Sequence, residues 1–184
     1  MKKAAILLAD GFEEVEALTP VDLLRRAGVE TLMVSVGSSG IVTGSHSIGI
    51  QSDLLLKDFN VSDIDLLILP GGMPGTKNLD ANDAVKKAVL ECDQRECFLA
   101  AICAAPSVFG HLGILKGRKA TCYPGFEDQL EGAEFVTDNV IRDGHIITSR
   151  GVGTAIPFGL KLVELLVNTE TAEQLAKGIV YGQS

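Results

Sequence analysis

The order of apolar and polar residues predicts strands that alternate with helices along most of the chain. Apolar blocks of the kind found in strands covered on both faces lie at Lys3–Ala9, Thr31–Val36, Asp65–Leu69 and Phe98–Ile102. Segments with a helical spacing of apolar residues or a helical composition lie at Glu13–Ala27, Asn82–Cys92, Ser107–Leu112, Gly153–Val167 and Thr171–Val180. This alternation predicts an α/β fold with a mostly parallel sheet and helices on both faces.

Weaker signals predict short strands outside these blocks. The stretch Gly37–Gly44 is rich in Gly and Ser, which favours a loop or tight hairpin, and Ser47–Gln51 is expected to return from it as a small edge strand. Later β-like runs lie at Lys119–Cys122, Phe135–Val136, Val140–Arg142 and His145–Ser149. Asp143-Gly144 is a dipeptide that favours β-hairpin turns, so we expect a turn there.

Composition and charge narrow the class of protein. The 184 residues suit one domain, expected to span residues 1–184. A net charge of -8 argues against sequence-specific nucleic-acid binding, because backbone phosphates are held by clustered Lys and Arg. No run approaches the roughly 18 apolar residues of a membrane helix. The first apolar run ends at Asp10 and acidic residues follow, so it predicts a strand rather than a signal peptide, and a cytoplasmic protein.

The cysteines and histidines limit the possible chemistry. The cysteines are Cys92, Cys97, Cys103 and Cys122, and the histidines are His46, His111 and His145. No C-x-x-C pair is present and a chain of this size does not require disulfides, so we expect reduced thiols. No Cys/His pair has the spacing of metal ligands, so neither a metal nor a cofactor is expected. We assign no histidine a catalytic role.

Cys103 stands where the apolar run Phe98–Ile102 gives way to Pro106, a residue that can open a helix. At such a turn from strand to helix, the sulfur faces an amide-rich helix N-terminus, which favours negative charge and predicts a stabilised, reactive thiolate. The alternative is a buried, inert cysteine that follows a core strand.

Three other segments are expected beside Cys103, because the carboxyl ends of parallel strands meet at one edge of a sheet. These segments are Asp10–Glu16, Gly71-Gly72 and Ser149–Gly153. A buried, protonated Glu16 would donate a hydrogen bond to the thiolate or to an oxidised sulfur. The N–H groups of Gly71, Gly72 and Ala104 could form an oxyanion hole.

Each of these features also has a purely structural interpretation. Glu13, Glu14 and Glu16 place acidic charge in the first turn of a helix, where the helix dipole favours it, and for Glu13 and Glu14 this is the preferred reading. The two glycines could form no more than a tight turn after a strand. For Glu16, both interpretations stay open.

Four motifs in fixed order resemble the ThiJ/PfpI superfamily, and more closely the branch that contains the parkinsonism-associated deglycase and its bacterial relatives. They are D-G-F-E-E-V-E-A-L-T-P-V-D-L-L-R-R-A-G, L-P-G-G, A-A-I-C-A-A-P and T-S-R-G-V-G-T-A, within a resemblance that runs from about Lys3 to about Val180. The resemblance implies a flavodoxin-like three-layer sandwich that forms a homodimer.

The resemblance also implies roles for single residues. Cys103 matches the nucleophilic, easily oxidised cysteine, and Glu16 the protonated glutamate bonded to it; Gly72 and Ala104 match the backbone donors around the sulfur. Members are credited with glutathione-independent glyoxalase activity, repair of early glycation adducts on proteins and nucleotides, chaperone activity and peroxide sensing. Small aldehydes or glycated protein and nucleotide adducts are thus the expected partners.

Two departures from the family pattern bear on function. Where a histidine is found near the cysteine in a T-x-H-P setting, this chain reads T-C-Y-P and has Tyr123, a possible substrate contact. In the protease-like branch a histidine directly follows the cysteine, whereas here Ala104 does, which ranks a peptidase or amidase last. The functions that stay open are a glyoxalase or deglycase, a non-enzymatic redox sensor or holdase chaperone, and a binding domain whose Cys103 site is inactive.

Overall fold

A seven-stranded sheet forms the centre of the protein in the computed structural model, which describes residues 2–182. Its strands are β1 (Lys3–Leu8), β2 (Glu30–Ser35), β5 (Leu54–Leu55), β6 (Leu66–Leu69), β7 (Phe98–Ile102), β10 (Val140–Asp143) and β11 (Ile146–Ser149). They lie in the order β10-β11-β7-β6-β1-β2-β5. β10 pairs antiparallel with β11, and the other neighbours are parallel, which confirms the predicted mostly parallel sheet.

Helices cover both faces of this sheet. They are α1 (Glu14–Arg26), α2 (Gly75–Asp80), α3 (Asp83–Gln94), α4 (Pro106–His111), α5 (Ala155–Leu166) and α6 (Thr169–Gly178). One apolar core lies under α2, α3 and α4, and a second lies under α1, α5 and α6. β1 serves both cores, since Leu7 packs into the first and Ile6 and Leu8 into the second. Burial on both faces explains why the strands are apolar throughout and confirms the three-layer sandwich.

The hairpin predicted at Gly37–Gly44 and the short strand expected to return at Ser47–Gln51 are both present, but they lie outside the main sheet. Gly49–Gln51 (β4) pairs antiparallel with Ile41–Thr43 (β3) in a separate two-stranded sheet, and β5 forms the edge of the main sheet. This hairpin is tied to the loop before α1, because the Gly11 N–H donates to the Thr43 carbonyl at 2.7 Å and the Ser45 N–H to the Phe12 carbonyl at 2.7 Å. These hydrogen bonds hold the hairpin beside the loop before α1, so it does not extend the edge of the main sheet.

Two further differences concern the second half of the chain. The last residue pair of the β10–β11 ladder is Asp143 with Ile146, so the turn residues are Gly144 and His145 rather than Asp143 and Gly144. The runs near Lys119 and Phe135 form β8 (Lys119–Ala120) and β9 (Glu134–Phe135), which pair with each other outside the main sheet. Within residues 2–182, no helix has the length and apolar character needed to cross a bilayer.

The strand order explains why distant segments share one site. β11, β7, β6 and β1 are consecutive neighbours in the sheet and run parallel to one another. Their carboxyl ends therefore lie side by side, and the segments that follow these four strands meet at one edge of the sheet.

Candidate functional site

Cys103 occupies a sharp turn between β7 and α4. Its φ angle is +66°, in the left-handed region that costs a non-glycine residue about 1–2 kcal/mol. Two backbone hydrogen bonds hold this conformation: its N–H donates to the Ser149 carbonyl at 3.0 Å, and its carbonyl accepts from the Tyr123 N–H at 2.8 Å. The half-buried sulfur accepts hydrogen bonds from the backbone N–H groups of Gly72 and Ala104.

Glu16 reaches the same place from the first turn of α1 and is fully buried. Its Oε2 accepts a hydrogen bond from the Gly71 N–H at 3.0 Å, and its carboxyl group also interacts with the Cys103 thiol. Oε1 is buried without a nitrogen or oxygen partner among the described residues. The start of the helix is held by Glu13, whose carboxylate accepts from the Glu16 N–H at 2.7 Å.

The close approach of Glu16 and Cys103 depends on the absence of a side chain at Gly71. A Cβ atom there would lie 2.5 Å from Glu16 Oε2 and 2.6 Å from Cys103 Cβ. Gly72 has a different role, because its φ of +91° turns its own N–H toward the sulfur. The two glycine amides are therefore divided between the carboxyl group and the sulfur, rather than both facing the sulfur.

The electrostatics of the pair differ from the prediction of a stabilised thiolate. Burial raises the pKa of Glu16 to about 7, assisted by the negative charge of Glu13 and opposed by the hydrogen bonds from Cys103 and Gly71. Burial and the adjacent Glu16 carboxylate raise the pKa of Cys103 to about 12, although the Ala104 and Gly72 amides act in the other direction. The predicted stabilisation is wrong as long as Glu16 is ionised.

Protonation of Glu16 removes one cause of the raised Cys103 pKa, the negative charge of the carboxylate. A neutral carboxyl group no longer repels the sulfur, and its O–H can donate a hydrogen bond to the sulfur. The two groups titrate as a pair, so the proton that is lost near neutral pH belongs to both. The thiolate is favoured when Glu16 retains its proton.

Tyr123 and Gly151 line the open side of this cluster. The Tyr123 side chain is exposed, and its ring carbon Cδ2 lies 3.3 Å from the position that a Cβ of Gly151 would occupy. Glu16 Oε1 lies 3.8 Å from that same position. The tyrosine ring and the glutamic acid therefore approach Gly151 together, beside the accessible face of Cys103.

The histidines make their contacts with carboxylates. His46 Nδ1 lies 2.7 Å from Glu14 Oε2, His111 Nδ1 3.0 Å from Asp80 Oδ2, and His145 Nε2 2.8 Å from Asp93 Oδ1. Across residues 2–182, no histidine hydrogen-bonds to Cys103 or Glu16. The ionisable side chain that contacts Cys103 is therefore a carboxyl group and not an imidazole.

One group of potential metal ligands was missed by the search for Cys/His spacing. Glu13, Glu14 and His46 each place one ligand atom within 4.8 Å of the others. The Glu14 carboxylate already accepts hydrogen bonds from the His46 backbone and ring, and Glu13 caps α1. A metal ion would have to displace these bonds.

Comparison with known proteins identifies the family. Residues 2–165 match the DJ-1/PfpI family. The chain belongs to this family. Protein dj-1beta of Drosophila melanogaster is 35% identical over 181 residues, which are 97% of this chain and 97% of that protein. DJ-1 homolog B of Arabidopsis thaliana is 41% identical over 97% of this chain, but this match covers only 41% of the Arabidopsis protein.

Other family members extend the comparison to function and to fold. A Pyrococcus abyssi protein named as a deglycase is 33% identical over 89% of this chain and 99% of its own length. The structure of oxidized Toxoplasma gondii DJ-1 superposes with a TM-score of 0.95 at 34% identity, covering 99% of this chain and 100% of that one. A cysteine-to-alanine mutant of a Salmonella typhimurium DJ-1 superfamily protein gives a TM-score of 0.94 at 34% identity, covering 98% and 99%. The predicted resemblance and fold class are thereby confirmed.

Several residues that support the site were not assigned by the sequence analysis. Glu13 was interpreted only as helix-dipole charge, yet it caps the helix that carries Glu16. The Ser149 carbonyl anchors the backbone of Cys103. The capping role of Glu13 had no clear signal, because Ser, Thr, Asp and Asn are the residues preferred at an N-cap and glutamate is not. The rule on strand ends placed Ser149–Gly153 beside Cys103, but no local pattern indicated that the Ser149 carbonyl accepts the Cys103 N–H.

The raised pKa of Glu16 predicts a pH-dependent stability. Because the folded-state pKa of about 7 exceeds the ordinary 4.5, the stabilising contribution is fully present below pH 4.5 and is lost as pH rises through 7. From pH 5 to pH 8, the free energy of unfolding of the wild type should fall by about 3 kcal/mol relative to Glu16→Gln. Urea unfolding of both proteins between pH 5 and pH 8 measures this difference. If the free energies of unfolding of the two proteins change in parallel with pH, the raised pKa of Glu16 is refuted.

Proposed function

We propose that this protein uses Cys103 and Glu16 to convert reactive dicarbonyls such as methylglyoxal, or their early adducts on proteins and nucleotides, without glutathione. Membership of the DJ-1/PfpI family supports a DJ-1-like stress function, and the relative named as a deglycase supports an enzyme. The observation that carries the proposal is the fully buried Glu16 carboxyl group, which interacts with the half-buried Cys103 thiol.

The proposed reaction begins with protonated Glu16 and the Cys103 thiolate. The sulfur adds to the aldehyde carbon of methylglyoxal, and the aldehyde oxygen takes the proton of Glu16 to give a hemithioacetal. The Glu16 carboxylate then removes the proton from the former aldehyde carbon and returns it to the neighbouring carbonyl carbon, and the hydroxyl proton passes from the former aldehyde oxygen to the ketone oxygen. The product is a lactoyl thioester, which water hydrolyses to lactate and free Cys103, so methylglyoxal and one water give lactate.

The surrounding groups suit these steps. The Gly72 and Ala104 amides, which already donate to the sulfur, favour negative charge beside it. Tyr123 is exposed next to Gly151 and can donate its O–H to the ketone oxygen of the substrate. No histidine takes part, so Glu16 makes the proton transfers to and from carbon in this scheme.

A lactate assay without glutathione tests the enzyme proposal. Cys103→Ser should lower lactate formation to the uncatalysed rate, and Glu16→Gln should lower kcat/KM by about 10²–10⁴-fold because the proton carrier is lost. In the wild type, the rate of thiolate addition should increase as pH rises through about 7 and then level off, because the pair loses its first proton there and the reactive form, a Cys103 thiolate beside protonated Glu16, holds one proton. The control is Cys122→Ala, which removes a fully buried thiol of the opposite core. Equal activity of wild type and Cys103→Ser would exclude the proposal.

A second candidate function is a peroxide sensor or holdase chaperone that acts in the cytoplasm, where thiols are kept reduced. It is favoured by the same donors, because Gly72, Ala104 and a protonated Glu16 can stabilise the oxygens of a sulfinic acid on Cys103. The first peroxide molecule would convert the thiolate to a sulfenic acid and the second would convert that to the sulfinic acid, with one water released at each step.

Mild hydrogen peroxide should therefore add two oxygens at Cys103. Intact-mass spectrometry with peptide mapping measures this addition, and Cys103→Ala should not show it. Glu16→Ala removes the proton donor, so its sulfenic acid should proceed to mixed products instead of stopping at the sulfinic acid. Oxygen spread evenly over the cysteines would contradict the sensor proposal.

We further propose that two copies associate through α1 and the β3–β4 hairpin. Val15 on α1 and Ile48 beside the hairpin are exposed apolar residues. The hydrogen bonds from His46 to Glu14 hold these two segments together, and they lower the pKa of Glu14 to about 2 despite its burial, which acts to raise it. The paired segments present one apolar surface of the kind that a second copy can cover.

Light scattering after size exclusion tests the dimer. The wild type should have twice the mass of one chain, and Val15→Asp should have the mass of a single chain because a charge would be buried at the interface. Leu90→Asp is the matched control, since Leu90 is exposed on α3, on the opposite face of the sheet. A wild type with the mass of one chain would refute the dimer.

A further inference from the structure

Cys92 and Cys97 form a second thiol pair, at the opposite end of β7 from Cys103. Cys92 lies in the last turn of α3 and Cys97 directly precedes β7. The helix ends with Glu96 at a φ of +54°. The Cys97 N–H donates to the Cys92 carbonyl at 3.0 Å, and the Glu96 N–H to the Asp93 carbonyl at 3.0 Å. These two bonds and the left-handed residue define a Schellman motif.

The Schellman motif brings two particular side chains together. It characteristically places the side chain three positions before the C-cap residue, here Arg95, against the side chain two positions after that residue. In this chain those positions are Cys92 and Cys97, whose thiols interact by a hydrogen bond within one apolar core. Cys92 is fully buried, and Cys97 is 8% exposed. A small oxidant therefore reaches Cys97 first.

The surroundings make the two sulfurs chemically unequal. The hydrogen bond from Cys92 and the positive charge of Arg95 lower the pKa of Cys97, whereas the hydrogen bond to Cys97 and burial raise the pKa of Cys92. The guanidinium group of Arg95 is fixed near the pair, because it donates to the Val61 carbonyl at 2.8 Å and the Ser62 carbonyl at 2.9 Å. Cys97 is thus suited to attack an oxidant and Cys92 to resolve the product.

We propose that Cys92 and Cys97 are a peroxide-oxidisable pair that closes to an intramolecular disulfide, as a redox site separate from Cys103. The Cys97 thiolate attacks one peroxide oxygen, the O–O bond breaks, and the departing hydroxide takes a proton to leave as water. The Cys92 sulfur then attacks the Cys97 sulfenic acid, loses its own proton, and releases a second water as the S–S bond forms. Two thiols and one hydrogen peroxide give one disulfide and two waters.

The same geometry excludes this pair as the resolving partner of Cys103. The whole of β7 lies between Cys97 and Cys103, and an extended strand rises about 3.3 Å per residue, so the sulfurs lie at opposite edges of the sheet. Cys92 and Cys97 pack into the core under α3, whereas Cys103 packs against the core under α1. The two redox sites therefore react independently.

The test uses full-length Cys103→Ala protein, so that Cys103 does not consume the oxidant. After limiting hydrogen peroxide, the protein is denatured without reductant, alkylated with iodoacetamide and analysed by intact mass and peptide mapping. We expect a loss of two hydrogens, a Cys92–Cys97 cross-linked peptide, and alkylation at Cys122 alone. Dithiothreitol should restore alkylation at all three cysteines. The yield should not depend on protein concentration, since the bond forms within one chain.

Single substitutions separate the two roles. In Cys92→Ser, the sulfenic acid on Cys97 has no resolving thiol and should be trapped by dimedone. In Cys97→Ser, Cys92 should stay reduced under the same dose. Circular dichroism of each variant checks that the helix and sheet persist. Alkylation of both Cys92 and Cys97 in the oxidised Cys103→Ala protein, or a cross-link that involves Cys122, would overturn the proposal.

Discussion

The candidate site depends on the burial of one carboxyl group. Glu16 lies in the first turn of α1, accepts the Gly71 N–H from the loop after β6, and meets the sulfur at the turn after β7. Three chain segments that are remote in sequence are joined at this group. If Glu16 were exposed, its pKa would return to the ordinary range for a glutamic acid and it would repel the sulfur at neutral pH. Burial is what allows an acid and a thiol to act together.

The contact between Glu16 and Cys103 depends on the glycine at position 71 and on the strained backbone of Cys103 itself. The missing Cβ at Gly71 allows the carboxyl group and the sulfur to approach, and the left-handed φ of Cys103 directs the sulfur toward them. Hydrogen bonds from Tyr123 and to Ser149 hold that conformation on both sides of the residue. The strain is thus maintained by neighbouring strands, so the geometry of the site is linked to the stability of the sheet.

β7 has cysteines at both of its ends, and their surroundings differ. At the carboxyl end, Cys103 is half-buried beside a carboxyl group and two backbone amides, which suits the proposed addition to small electrophiles or oxygen atoms. At the amino end, Cys92 and Cys97 are enclosed in the core and contact each other, which suits bond formation between themselves. Cys103 and the Cys92–Cys97 pair lie at opposite edges of the sheet. We therefore expect no thiol–disulfide exchange between them.

The sequence by itself determined the alternation of strands and helices, the parallel sheet and the gathering of Glu16, Gly72 and Cys103 at one edge. These conclusions follow from apolar periodicity and from the rule that strand ends meet, both of which are written in consecutive residues. Only the tertiary structure decided that the Gly71 amide serves Glu16, that the hairpin of β3 and β4 leaves the main sheet, and that Cys92 faces Cys97. It also showed that burial and an ionised Glu16 oppose the Cys103 thiolate, so that its stabilisation depends on the proton of Glu16. Burial and pairwise contacts join residues that are distant in the chain, such as Glu16 and Gly71, which are 55 positions apart. No local sequence pattern encodes such contacts.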